Sequence, residues 1–167
     1  MILWLNGAFG AGKTAVAEEL CRRLPGTFLY DPENAGQFLR QNLPEPLCPW
    51  EDFQDDPLWR QFNAALLERL DREYTGPVIV PMTVTSPQYW QELTALLREE
   101  DLQAFVLWAQ PDTLKARLAG RGDGADSWPV RQIDRCCRGL KDLPGKVIST
   151  DDLTVEQVTA WILNEIQ

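Results

Sequence analysis

Gly7-Ala8-Phe9-Gly10-Ala11-Gly12-Lys13-Thr14 sets three glycines, a lysine and a threonine between an apolar run and an amphipathic one. The spacing G-x-x-x-x-G-K-T suits a phosphate cradle. Glycine lets backbone N–H groups turn inward, the helix that follows adds its N-terminus, and Lys13 adds an ammonium. Thr14 is placed to give a hydroxyl oxygen to Mg²⁺. All eight residues are therefore expected to hold nucleotide phosphates. The chain has no N/T-K-x-D string for guanine, so the expected nucleotide is ATP.

A phosphate held this way needs an acceptor. Asp31 follows a short apolar stretch and could take a hydroxyl proton or hold Mg²⁺ through water, or it could simply form a turn before Pro32. Glu33 reads as an acid of a helix's first turn. The stretch RLAGRGDGADSWPVRQIDRCCR is dense in arginine for so acidic a protein. Arg117 and Arg121 share one predicted helix face, and Arg131 and Arg135 share another. With three glycines between them, the two helices could close as a lid over about 117–138 and bring guanidinium groups onto a transferring phosphoryl. The competing reading pairs these arginines with Asp123, Asp126 and Asp134. Trp50 and Phe53 could line a pocket, whereas Trp59, Phe62 and Leu66 at helical spacing read as core. The third apolar strand ends Val80-Pro81-Met82-Thr83, without the Mg²⁺-supporting acid that many phosphate-loop enzymes carry there.

These residues must be positioned by a scaffold. With 167 residues, 44% hydrophobic and 25% charged, the chain suits one globular domain spanning 1–167. A net charge of −9 argues against nucleic acid as the main partner, leaving a small-molecule acceptor. No apolar run is long enough to span a membrane. The four cysteines lack metal-ligand spacing and there is no histidine, so they read as reduced thiols in a cytoplasmic protein. Oligomeric state is left open.

Apolar runs at Ile2–Leu5, Thr27–Tyr30, Pro77–Met82, Ala104–Trp108 and Lys146–Ser149 predict strands. Helices are expected over 13–24, 33–43, 57–72, 87–100, 111–119, 129–140 and 153–166, with a proline-rich connection over 44–57. Such alternation indicates an α/β fold, a parallel sheet with helices on both faces. Ligands then bind at the carboxyl ends of the strands, where the phosphate loop, Asp31, Thr83, Thr85 and Asp151 all fall.

Together WLNGAFGAGKT, YDPE, the DFQ and PLWRQFN pair, VIVPMT and SWPVRQIDRC resemble the bacterial tunicamycin-resistance protein family over nearly the whole chain. That family is similar in fold to small-molecule kinases such as shikimate kinase and chloramphenicol phosphotransferase. The resemblance implies a three-layer P-loop fold with a five-stranded parallel sheet, an arginine-rich lid, and ATP phosphates on Gly7 to Thr14. It also places Asp31 where the kinase relatives hold a substrate-contacting or proton-accepting aspartate. The expected activity is phosphoryl transfer from ATP to a hydroxyl of tunicamycin or a related nucleoside antibiotic. Two alternatives are sequestration of the antibiotic without transfer and a nucleotide-dependent regulatory switch.

Overall fold

The computed structural model describes residues 1–166. Ile2–Gly7 form β1, every residue of it buried, as the apolar run Ile2–Leu5 requires of a strand covered on both faces. It is the middle of a five-stranded, wholly parallel sheet in the order β2-β3-β1-β4-β5. The other strands are β2 (Phe28–Leu29), β3 (Val78–Pro81), β4 (Leu102–Trp108) and β5 (Lys146–Ser149). Gly7 pairs with Leu107 and Leu5 with Pro81, so β1 delivers the glycine-rich loop at the sheet's carboxyl edge.

The helices are α1 (Lys13–Arg23), α2 (Glu33–Asn42), α3 (Pro57–Glu73), α4 (Pro87–Thr94), α5 (Pro111–Gly120), α6 (Trp128–Gly139) and α7 (Val155–Glu165). α1 packs with α7, α3 with α4, and α5 with α6. Their starts follow local chemistry. Asp56 accepts from the Leu58 amide ahead of Pro57, and Thr154 and Gln157 close a capping box on α7. The Trp4 indole donates to the Met82 carbonyl at 3.1 Å and packs edge-on to Trp90, tying β1 to the exit of β3.

Two expectations are corrected. The helix expected over 87–100 stops at Thr94, because Arg98 is claimed by tertiary partners. Its amide and Nε donate to the buried Asp71 carboxylate at 3.3 and 3.1 Å, and Nη2 donates to the Asp71 carbonyl. Phe62 is 43% exposed and stacks on Phe38, while Trp59 is fully buried. The buried stripe of α3 instead runs Trp59, Asn63, Leu67, Asp71, with Asn63 satisfied by the Tyr30 hydroxyl at 2.5 Å and by the Trp59 carbonyl. A polar residue with two buried partners takes the place the apolar spacing assigned to phenylalanine.

Candidate functional site

The loop between β1 and α1 is held open by glycine. Gly10 has φ +83°, and a Cβ there would lie 2.9 Å from the Leu114 carbonyl of α5. Gly12 has φ +95° and starts α1 from the left-handed region. Among the described residues, the amides of Gly10, Gly12, Lys13 and Thr14 have no intramolecular acceptor. They converge beside the Lys13 ammonium, which donates to the Gly7 and Ala8 carbonyls at 3.0 Å each and lies 5.6 Å from the Phe9 ring. Burial lowers the Lys13 ammonium to about 8, with nearby Cys136 and Glu33 partly opposing the shift. Thr14 is exposed at the mouth of the same cleft. Convergent N–H donors, a cation and a free hydroxyl are the donor set that phosphate oxygens and a hard divalent cation require.

The exit of β3 locks onto this loop. The Asn6 Oδ1 accepts from the Gly7 and Val84 amides at 2.9 and 3.0 Å, and its Nδ2 donates to the Val84 carbonyl. Thr83, at the position of the missing acid, donates its hydroxyl to the Gly7 carbonyl at 2.7 Å. The strand-three exit therefore braces the loop.

The cleft has a volume of about 1030 Å³. Asp31, Glu33, Asp52, Phe53 and Gln54 line it together with the loop. Asp31 accepts from the Glu33 amide, the first of α2, through Oδ1 at 2.9 Å and lines the cleft at once. Glu33 is an accessible residue whose carboxyl is shielded by the cleft wall. That burial raises its pKa, and the negative charges of Asp31 and Asp52 add to the effect against Lys13. Asp52 is 8% exposed, accepts from the Gln54 amide at 3.1 Å, and pairs with Arg135 at 2.9 Å. Phe53 packs on Trp59 and Trp50. Glu33 as a cleft wall, Asp52 and Gln54 were not singled out by sequence. The last two sit in the irregular 44–56 connection, where no periodicity announces a site.

The four arginines part company. Arg117 and Arg121 line the cleft. Arg117 is held by the Thr150 hydroxyl at 3.1 Å and by the Thr150 carbonyl, whereas Arg121 is exposed and 3.9 Å from Asp123. Arg131 donates to the Asp126 carbonyl at 2.8 Å and does not line the cleft, and Arg135 reaches it only through Asp52. Trp128, at the start of α6, packs edge-on to Phe9 at 5.1 Å and so brings that helix against the phosphate loop. Cys136 is fully buried on the same helix, and burial pushes its thiol up to about 11, which keeps it protonated. All four cysteines are free. Asp151 is spent locally, accepting from the Gln110 amide and the Ser149 hydroxyl.

Residues 2–143 match a family described as an AAA domain. The tunicamycin resistance protein of Deinococcus radiodurans is 31% identical in sequence, with a TM-score of 0.79 over 99% of this chain and 94% of that one. A sugar kinase from Janibacter sp. shares the fold at 15% identity and a TM-score of 0.73, over 99% of this chain and 93% of that one. A gluconokinase from Sinorhizobium meliloti does so at 16% identity and 0.67, over 97% and 89%. No curated protein sequence matches the chain. No helix among the described residues is long and apolar enough to cross a membrane.

Proposed function

The chain belongs to the AAA-domain family and to the tunicamycin-resistance proteins, and from that membership we propose an ATP-dependent phosphotransferase acting on a small-molecule hydroxyl. The D. radiodurans relative's name supports tunicamycin or a related nucleoside antibiotic as acceptor. One observation carries the reading: the unpartnered loop amides and the Lys13 ammonium open onto the same cleft as the Asp31 carboxylate.

In this reading, the free amides of Gly10, Gly12, Lys13 and Thr14, within the Gly7–Thr14 loop, and the Lys13 ammonium bind and orient phosphate oxygens. Thr14 offers the one loop hydroxyl to Mg²⁺. Bound ATP with Mg²⁺ supplies the phosphoryl group and neutralises charge on it. Asp31, with Oδ2 free of the bond to the Glu33 amide, orients the acceptor hydroxyl and takes its proton. Arg117 and Arg121 stand on the cleft wall where negative charge spreads over the transferring group, and Arg131 and Arg135 join them only if α6 moves as part of a lid.

Incubation with ATP, Mg²⁺ and tunicamycin followed by mass analysis tests the proposal. A gain of one phosphoryl group is expected, and Lys13→Ala should abolish it; a gain that survives Lys13→Ala overturns the mechanism at its first step. The Thr83 hydroxyl bonded to the Gly7 carbonyl, where an acid would support Mg²⁺, favours a second reading in which antibiotic is bound and sequestered without transfer. Tight binding with no phosphorylated product selects it.

A further inference from the structure

Gln54 lines the cleft although it is only 6% exposed. Its backbone is fixed on both sides. The amide donates to the Asp52 Oδ1 at 3.1 Å, which opens a single 3-10 turn over Phe53–Asp55, and the carbonyl accepts from the buried Arg60. Arg60 is held in turn by Glu92 and the Tyr89 ring, and Asp52 by its ion pair with Arg135. The side chain therefore projects from a rigid mount.

That side chain is only half used. Nε2 donates to the Asp52 Oδ2 at 3.4 Å. A carboxylate in an ion pair only accepts, so this contact orients the amide with its nitrogen toward Asp52 and its oxygen away. Oε1 accepts from no donor among the described residues, and it is not one of the unpartnered polar atoms sealed from solvent. A buried amide oxygen without a partner is costly until a donor reaches it, and the cleft is where one can.

The neighbours tie this turn to the segment that carries Asp31. Phe53 is seated on α2 at Gly36, where a Cβ would lie 2.5 Å from the ring. Glycine inside a helix is destabilising relative to alanine, and the close approach of the ring is what it permits here. Phe53 also packs on Trp59, whose indole donates at 3.0 Å to the carbonyl of Pro32, the residue after Asp31. A compound entering here meets one aromatic ring and two oxygens that lack partners, the Gln54 Oε1 and the Asp31 Oδ2.

We propose that Gln54 is an acceptor-recognition residue: its Oε1 takes a hydrogen bond from a second hydroxyl or N–H of a ring compound whose apolar face lies on Phe53, while Asp31 faces the hydroxyl that reacts. The ligand class is a ring bearing several hydrogen-bond donors, in preference to a simple alcohol or an apolar compound. Calling it the acceptor rests on the phosphotransferase reading, but the contact is a binding property and needs no transfer. It is also independent of the net charge of the cleft, where acids mix with Lys13, Arg117 and Arg121.

The test is calorimetric titration of tunicamycin, a hydroxyl-rich nucleoside, onto the full chain loaded with Mg²⁺ and a non-hydrolysable ATP analogue. Gln54→Leu and Gln54→Met both remove the amide with little change in bulk. In each, tunicamycin affinity should fall about tenfold, the loss that one unmet buried hydrogen bond supports, while affinity for the ATP analogue stays within about twofold. The Gln54 side-chain amide resonance, identified by its absence from Gln54→Met, should shift when tunicamycin is added. Tunicamycin affinity within about twofold of the unmodified chain in both variants overturns the proposal. So does an equal loss of nucleotide affinity, an unmoved amide resonance, or no saturable tunicamycin binding to the unmodified chain. Failure of the phosphotransferase reading looks different, since no phosphorylated product forms while the loss of affinity in the variants stands.

Discussion

The two walls of the cleft are built from different materials. The phosphate wall is backbone: Gly10 and Gly12 at positive φ, amides turned inward, and a brace of hydrogen bonds from Asn6 and Thr83 at the sheet edge. The other wall is side chain: acids and aromatics on the irregular connection before α3, held by Arg135, Arg40 and Arg60. A backbone cradle recognises what every nucleotide shares, the phosphate oxygens. A side-chain wall can be rewritten one residue at a time without disturbing the sheet, so one fold can serve many sites.

The sharpest way to separate the walls is Asp31→Asn. Asparagine keeps an oxygen to accept from the Glu33 amide, so the fold and nucleotide affinity should persist while turnover falls by about 10²–10⁴. Full turnover on a defined acceptor would remove Asp31 from the chemistry and leave the nucleotide wall untouched. On the other wall, Gly10→Ala places a Cβ against the Leu114 carbonyl at a positive φ and should cost about 1–3 kcal/mol in a denaturant titration. Gly120→Ala, with open space around it, is the control and should not destabilise.

A smaller effect should follow from pH. Because burial lowers the Lys13 ammonium to about 8, it is charged below that pH and neutral above it. Bound phosphate favours the charged form, so nucleotide affinity should hold below about 8 and fall above it, by up to about tenfold per unit. Affinity that stays level from pH 7 to 10 would show that the ammonium is not required. The smallest effect is expected between the walls. Arg135 is half-exposed, so a double-mutant cycle on Asp52→Asn and Arg135→Ala should give a coupling of about 0.5–1 kcal/mol in stability. A larger coupling in acceptor affinity than in stability would show that α6 senses the acceptor side.

Much of this division was legible in the chain. β1, the loop and α1 are specified locally, because an unbroken apolar run, glycines at fixed spacing and an amphipathic helix each carry their own signal. The Thr154 capping box and the Asp56-Pro57 start were readable for the same reason. Phe62 was misplaced because helical spacing identifies a stripe but not its rotation, which Tyr30 settled by pairing with Asn63. The 87–100 helix was overextended because no local residue announces that Arg98 will turn aside to Asp71, which lies 27 positions away in sequence.

Sequence by itself determined the glycine-rich loop between β1 and α1, the parallel α/β scaffold and the edge of the sheet where both must meet. Those properties follow from backbone permissiveness and hydrophobic period, which act over a few residues. Only the tertiary structure decided that Thr83 braces the loop in place of an acid, that Arg135 pairs with Asp52, and that Glu33 joins the cleft wall. Each of these depends on charges and hydrogen-bonding groups from segments distant in the chain being brought within a few ångströms. At that range the energy is set by burial and by which partner arrives first in space, and residue order does not encode either.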